Sequence, residues 1–515
     1  MDTPYDLDDV LTKVGAGTID LRIFFTSGLL IMVVIDDTMG LGMVAVDATC
    51  DLDMDGFKQG LFTTAGFMGI IVTSFFWGYL CDSQGRRPML LISTFSASAF
   101  ALVSVLMPNY WSFVSMRFLN GLFLAGPSAI TPSYLGEFCT RKNLTAVMNY
   151  LFMVSALATI YCPTIGFILL PQKWRLHIVG TLDFVPWRLQ LILYNLPGLI
   201  AAISLIYLPE SPEYLLSVGK AEEAYAAIDW LSMKHNGVSV DALYPNLSFE
   251  NIASLLPKRP RRENLLSLAD MKQLTAPVFK KPILQKFLLS ALVMLGLFYI
   301  GNGLGLWFPT LRGTVRSNEE NTTKLAICDI SDYLENARES NVCTIEVKHV
   351  GAFDSIALGI FYTSSFVLQG FVLRFLSRKN TMFSELAVTG IFGIALFWIN
   401  QTLASLFVLI VFISFPTLLT AVMSGALVQM IPTNCRGTAI CLCMMAGRLG
   451  AVIGSWSMGL LYESVCIFTM ILFYAFVVVC IVCVYYLPLD VESPIKPSLF
   501  ATSLMNIHHN KQKPL

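Results

Sequence analysis

Twelve apolar runs, each close to twenty residues long, leave this chain few ways to fold. They fall at 23–45, 58–80, 89–107, 111–132, 146–169 and 190–208, then at 288–310, 352–373, 383–399, 403–427, 439–461 and 465–487. An α-helix rises about 1.5 Å per residue, so about 20 residues cross the roughly 30 Å of hydrocarbon in a bilayer. Only 13% of the 515 residues are charged, against about 25% in soluble domains. The expected fold is an all-α polytopic membrane protein with twelve transmembrane helices.

The spacing of the runs divides the chain. Residues 1–22 precede the first bundle of six helices (23–208), and a linker with short helices (209–287) leads to the second bundle (288–487). Inside the second bundle, 311–350 is a long loop, and 488–515 is a tail. Lys and Arg concentrate in cytoplasmic loops. Here the loops after the second, fourth, eighth and tenth helices carry Arg86–Arg87, Arg141–Lys142, Arg374/Arg378/Lys379 and Arg436, and the linker adds Lys258, Arg259, Arg261 and Arg262. Both termini and the linker are therefore expected in the cytoplasm, in either a plasma membrane or a secretory-type vesicle membrane. The acidic start MDTPYDLDDV lacks a positively charged n-region, so the first span is expected to act as its own insertion signal.

On the opposite side, the 311–350 loop holds the sequon Asn321-Thr322-Thr323, a glycosylation candidate, and Cys328 with Cys343. An oxidising compartment permits a Cys328–Cys343 disulfide; two free thiols, or a bridge from either to Cys50, are the alternatives. The twelve cysteines form no Cys/His cluster, which points away from a metal site. Near-neutral net charge gives no support for nucleic-acid binding. The partners expected are a small-molecule substrate and the bilayer, for a monomer without cofactors.

The two bundles read as copies. Gly78, Arg86 and Arg87 recur as Gly370, Arg378 and Lys379, each 292 positions on, and the same shift carries Glu137 onto Gln429. A pseudo-symmetric duplication of this kind places a substrate site near the midplane, between the halves.

Three motifs then resemble a known family. Gly78-x-Leu80-x-Asp82-x-x-Gly85-Arg86-Arg87 is similar to the loop 2–3 signature of the major facilitator superfamily. Arg117-x-x-Asn120-Gly121 resembles its helix-4 motif, and Pro209-Glu210-Ser211-Pro212 resembles the element that follows helix 6 in sugar-porter-like members. RFLNGLFLAGPSAITPSYLGEF, GLGLWFP and PESPEYLLSVGKAEEA look more narrowly like the synaptic vesicle glycoprotein 2 and related-protein branch. The resemblance implies a transporter working by alternating access, not an enzyme. It also implies a cytoplasmic gate of Gly78, Asp82, Gly85, Arg86, Arg87, Glu137 and Arg436, with Asp82 bridging to helix 11. The pattern departs at Glu213, Leu144 and Gln429, where the family carries Arg, Arg and an acidic residue. Those departures thin the cytoplasmic charge lattice and weaken the case for sugar as substrate.

Charged residues inside spans supply the remaining candidates, because an intramembrane charge is costly and usually faces a cavity. Asp36 and Asp37 are adjacent in helix 1, about 100° apart, so one can face a cavity and the other a neighbouring helix. Either is a candidate proton site or a partner for a cationic substrate; the bland alternative is a neutral carboxyl hydrogen-bonded between helices. Arg448 in helix 11 has two readings, a clasp for an anionic substrate or an ion pair with Asp36 or Asp37. For Arg117 the family implies a part in proton coupling. Tyr299 and Trp307 lie beside Gly301, Gly303 and Gly305, which would let helix 7 bend around a substrate. Asp354 and Glu463 read as solvated helix ends. The expected function is transport of a small organic ion, with a non-transporting receptor or trafficking protein on a carrier scaffold as the alternative.

Overall fold

The structure is a computed structural model. It describes residues 7–14, 18–140, 144–172, 174–179, 182–243, 276, 278–281, 283–317, 328, 350–373, 375–399, 401–430, 436–462 and 464–489. The first bundle holds α2 (Thr18–Asp51), α3 (Gly56–Gln84), α4 (Arg86–Val105), α5 (Tyr110–Gly136), the pair α6 (Leu144–Ala156) and α7 (Ala158–Leu169), and α8 (Pro186–Ile206). A short helix α1 (Leu7–Val14) packs on the linker helix α10 (Ala221–Asn236), which follows α9 (Pro212–Ser217) and precedes α11 (Val240–Leu243). The second bundle holds α12 (Ile283–Phe298), α13 (Phe308–Ser317), α14 (Val350–Val372), α15 (Arg378–Ala395), α16 (Thr402–Met430), α17 (Arg436–Leu461) and α18 (Cys466–Tyr486).

Eleven described helices are long and apolar enough to cross a membrane. The chain is an integral, multi-pass membrane protein. The expected ninth span, α15, is 18 residues long and falls short of that standard, because Arg378 and Lys379 begin it and Glu385 lies within it.

Interruptions in the spans follow from chemistry legible in the sequence. Pro163 has no N–H for the carbonyl of Thr159, and the fifth span breaks nearby at Leu157 into α6 and α7. Gly359 of α14 lies against that Thr159 carbonyl, with room for no side chain: a Cβ there would come within 2.3 Å of the oxygen. Pro197 likewise leaves the carbonyl of Leu193 without its helical donor, and the Tyr161 hydroxyl donates to it at 2.8 Å. In helix 7 the glycine-rich stretch forms a π-turn, Tyr299–Gly303, between α12 and α13. Gly301 and Gly303 thus lie where helix 7 departs from the regular α-helical pattern.

The duplication is visible in the packing. Gly78 on α3 faces the sulfur of Cys441 on α17, and Gly370 on α14 faces Asn149 on α6. Gly370 is 292 residues after Gly78, and Cys441 is 292 residues after Asn149. One contact between the halves is thus made twice, with the roles of the bundles exchanged.

Two sequence expectations change. Cys328 bonds to Cys466 at the start of α18, with a Cα–Cα distance of 5.6 Å, rather than to Cys343. Asp354 is not solvated: it is buried and pairs with Arg312 of α13 at 2.7 Å, tying helices 7 and 8 together. Asn321, Cys343 and Glu463 lie outside the described residues. An antiparallel hairpin, β1 (Leu176–Val179) and β2 (Leu182–Phe184), was not anticipated. It stands between α7 and α8, where Arg175 reaches Asp51 at the end of α2 at 2.8 Å, and Trp187 donates to the other oxygen of Asp51 at 2.7 Å.

Candidate functional site

Helix 1 places its two carboxylates toward different neighbours, as a 100° step requires. Asp37 faces α5. Its Oδ1 accepts from Arg117 Nη1 at 2.9 Å, and its Oδ2 accepts from Asn120 Nδ2 at 3.2 Å. Arg117 and Asn120 are three residues apart, hence on one face of the helix, and Asn120 also holds the Ala97 carbonyl of α4 at 2.8 Å. Asp36 turns instead to α7, where the Cys162 thiol donates to its Oδ1 at 3.1 Å.

None of Asp36, Asp37 and Arg117 is more than 2% exposed. Several of their polar atoms have no partner: Asp36 Oδ2, Arg117 Nε and Nη2, and Asn120 Oδ1. Buried polar groups are normally satisfied, and those left over in a native site call for an explanation. In charge, the cluster holds two carboxyls against one guanidinium.

Arg448 makes neither ion pair considered for it. From α17 it crosses between the halves and donates to the hydroxyls of Ser74 on α3, at 2.9 Å, and Ser128 on α5. Tyr299 is packed inside the second bundle, with its ring 4.6 Å from Phe473 and 4.3 Å from Phe476 and its hydroxyl on Ser457 at 2.9 Å. Trp307 donates to Ser455 Oγ at 3.0 Å, and Ser455 in turn meets Thr63 of α3 at 3.2 Å. Gln59 Nε2 donates to Thr310 Oγ1 at 2.9 Å, and Trp456 Nε1 donates to Thr64 Oγ1 at 3.1 Å. These contacts join the halves on the side away from α1 and the linker helices.

On the linker side, the loop between α3 and α4 is built on Gly85, whose φ of 106° suits glycine and whose missing Cβ would sit 2.4 Å from Glu210. Arg86 is buried. It bonds Glu137 at 2.8 Å and Asp82 at 3.2 Å, and its guanidinium lies 4.9 Å from the Tyr214 ring centroid. Arg87 donates to the carbonyls of Leu205 and Ile206 at the end of α8, a favourable place for a cation. Asp82, Gly85, Arg86, Arg87 and Glu137 thus gather at this loop, Gly78 lies further back along α3 against Cys441, and the side chain of Arg436 lies outside the described residues.

The residue that sequence reasoning missed is Glu210. Its Oε1 accepts the backbone N–H of Ser211 at 2.8 Å, of Arg86 at 3.1 Å and of Arg87 at 3.2 Å, so one carboxylate caps the start of α4. The signal is the Pro-Glu-Ser-Pro element itself, a glutamate beside the helix-capping Ser211. Burial pushes the Glu210 carboxyl above the usual glutamate range, and the three N–H donors pull it partly back. The folded state therefore holds this proton more tightly than the unfolded chain. From the unfolded value of about 4.3 upward, stability falls as pH rises through the folded value. Glu210→Gln should flatten that slope in thermal unfolding curves taken from about pH 4 to about pH 7. Parallel curves for the two proteins would contradict the assignment.

Comparison with known proteins bears on the family and the fold. A family described as "Sugar (and other) transporter" matches residues 44–310, just over half of the chain. The protein belongs to that family. The matched segment runs from helix 1 to helix 7 and includes Arg117, the Gly85 loop and Glu210. Synaptic vesicle glycoprotein 2C of Homo sapiens is 29% identical over 217 residues, 42% of this chain and 30% of its own length. For synaptic vesicle glycoprotein 2A of Rattus norvegicus the identity is 28% over 222 residues, 43% of this chain and again 30% of the relative. The alignments thus span under a third of those vesicle proteins. In structure, the partially occluded inward-open form of the xylose transporter XylE from E. coli superposes with a TM-score of 0.63 at 14% identity, covering 93% of this chain and 99% of that one. The proton:xylose symporter XylE bound to 6-bromo-6-deoxy-D-glucose gives 0.62 at 15% identity, covering 91% and 95%. The fold is that of the major facilitator carriers, with twelve helices in two bundles.

Proposed function

We propose that this protein is a secondary-active carrier that moves a small organic ion by alternating access, with proton exchange at Asp36 and Asp37. The buried Asp36–Asp37–Arg117 cluster carries the reading. With both carboxyls ionised it is one positive charge short, at a depth where an unbalanced charge is expensive. A proton or a cationic group supplies that charge; Arg117, with two nitrogens still unpartnered, can follow Asp37 or release it as the charge changes. Across the interface Arg448, held by serine hydroxyls, offers a guanidinium to an anionic group, and its contacts with the first bundle have to break when the halves part.

The two bundles (23–208 and 288–487) act as the moving bodies on this reading, and the Arg86–Glu137–Asp82 set is the cytoplasmic gate. The basic linker-side loops support a cytoplasmic position for both termini, in a plasma or vesicle membrane. Similarity to a proton:xylose symporter supports proton coupling, and the thinned charge lattice favours an organic ion over a sugar.

Uptake of organic cations, organic anions and sugars into proteoliposomes, with and without a pH gradient, tests the proposal. Accumulation of an organic ion that the gradient accelerates is the expected result. Folded protein that takes up no solute would instead favour the receptor or trafficking role.

A further inference from the structure

The second bundle holds a buried carboxyl that the transport scheme does not use. Glu385 lies on α15 in a stripe with Thr381 and Thr389, four residues apart and all buried. The threonine hydroxyls are satisfied by their own helix, Thr381 on the Ser377 carbonyl at 3.1 Å and Thr389 on the Glu385 carbonyl at 2.8 Å. The carboxyl turns outward to α14 instead. There Gln369 Nε2 lies 3.3 Å from one of its oxygens and 3.2 Å from the other. Gln369 Oε1 is buried and has no partner.

A carboxylate only accepts hydrogen bonds, so it can never satisfy that amide oxygen; a carboxylic acid has one O–H to give. The last torsions of Gln and Glu side chains are soft. A small rotation sets the acid O–H opposite Gln369 Oε1 and the acid C=O opposite Gln369 Nε2, closing an eight-membered ring with every polar atom paired. We propose that Glu385 and Gln369 form a proton-binding site in the second bundle, where Glu385 is held as the neutral acid by this paired hydrogen bond.

Among the described residues the partner of the Glu385 carboxyl is Gln369, and no charged side chain is paired with it. Helix α16 carries no Asp, Glu, Lys or Arg, and neither does α18, whose titratable groups are Tyr474, Tyr485, Tyr486, Cys480 and Cys483. On α14 the one charged group is Asp354, fifteen residues before Gln369 and already paired with Arg312; Tyr362 is the other titratable side chain. On α15 itself, Arg378 and Lys379 begin the helix about 10 Å before Glu385 along its axis, and Lys379 is on the Tyr485 carbonyl at 3.0 Å. Arg374, between α14 and α15, lies outside the described residues. The positions 292 residues earlier are Trp77 and Ser93, whose side chains bond the carbonyls of Leu122 and Leu90. The acid–amide pair is therefore peculiar to the second copy and no relic of the shared packing.

Infrared spectra of the full chain in lipid nanodiscs at neutral pH test this without reference to transport. The wild type should show a deuterium-sensitive carboxylic-acid C=O band that Glu385→Gln loses and Asp36→Asn keeps. Gln369→Leu, which leaves the acid but takes its partner, should move the band to higher frequency. Wild-type and Glu385→Gln spectra that overlay in this region would mean an ionised Glu385, as an unseen pairing with Arg374 would produce, and would overturn the proposal. A band unmoved in Gln369→Leu would overturn the pairing, and that variant decides the matter alone should Glu385→Gln not fold.

Discussion

Asp37→Ala should abolish gradient-driven uptake and destabilise the purified protein by about 3–5 kcal/mol, the usual cost of removing one partner from a buried ion pair. The size of the effect follows from what remains. Arg117 is fully buried, and among the described residues Asp37 is the one carboxylate bonded to it. Two of its nitrogens already lack partners, so the variant would leave a guanidinium with no counter-charge at membrane depth. Asp37→Asn keeps the shape and an acceptor for Asn120 while losing the charge, and should fall between the two. The double variant Asp37→Leu with Arg117→Leu removes both charges. It should recover most of the stability but none of the uptake, because replacing a buried pair by apolar groups is often neutral. Thermal unfolding in detergent and uptake in proteoliposomes separate the two effects. An Asp37→Ala protein within about 1 kcal/mol of wild type would mean that the pair is not formed in the membrane.

How much of this was legible beforehand varied with the kind of information required. Span positions came from run length alone, and the helices differ from them mostly by a few residues at their ends, where apolar count says little about caps. Asp36, Asp37, Arg117 and Arg448 stood out because charge inside a span is costly. Their partners did not. Whether Arg448 meets Asp37 or two serines depends on how α17 is turned against α3 and α5, which no single-chain pattern encodes. Cys328 was matched with Cys343 because they share a loop, yet closing a longer loop adds only a logarithmic cost. Cys466, 138 residues away, was open to it all along but looked like one more apolar residue in helix 12. Asp354 looked like a helix end near water, since nothing in its own segment announced that Arg312 would cover it. Glu210 was visible as part of a motif but not as chemistry: its use is to hold backbone N–H groups more than a hundred residues earlier.

Gly42→Ala should trap the carrier open on the side away from the linker and raise the labelling rate of a reporter there roughly 5- to 150-fold, the shift that about 1–3 kcal/mol of overpacking produces. Helix 1 passes helix 7 so closely at this point that a Cβ on Gly42 would sit 2.4 Å from the Leu306 carbonyl oxygen. Backbone on both sides leaves nothing flexible to yield. Gly459 against the Gly56 carbonyl, at 2.5 Å, is a second such crossing between the halves. In the arrangement seen here these contacts are made, whereas an opening of that side would relieve them. The substitution therefore taxes one conformation and spares the other. Gly121→Ala supplies the contrast. Its Cβ would come within 2.2 Å of the Gly66 carbonyl, an overlap at least as severe, but α3 and α5 belong to the same bundle, which in the proposed scheme moves as one body. That variant should lose stability without changing the ratio of conformations. Gln59→Cys is a suitable reporter, since Gln59 is buried against Thr310 when this side is closed. Labelling by a membrane-impermeant maleimide should accelerate with Gly42→Ala and not with Gly121→Ala. Equal rates in both backgrounds would show that the glycine crossing between the halves does not control opening.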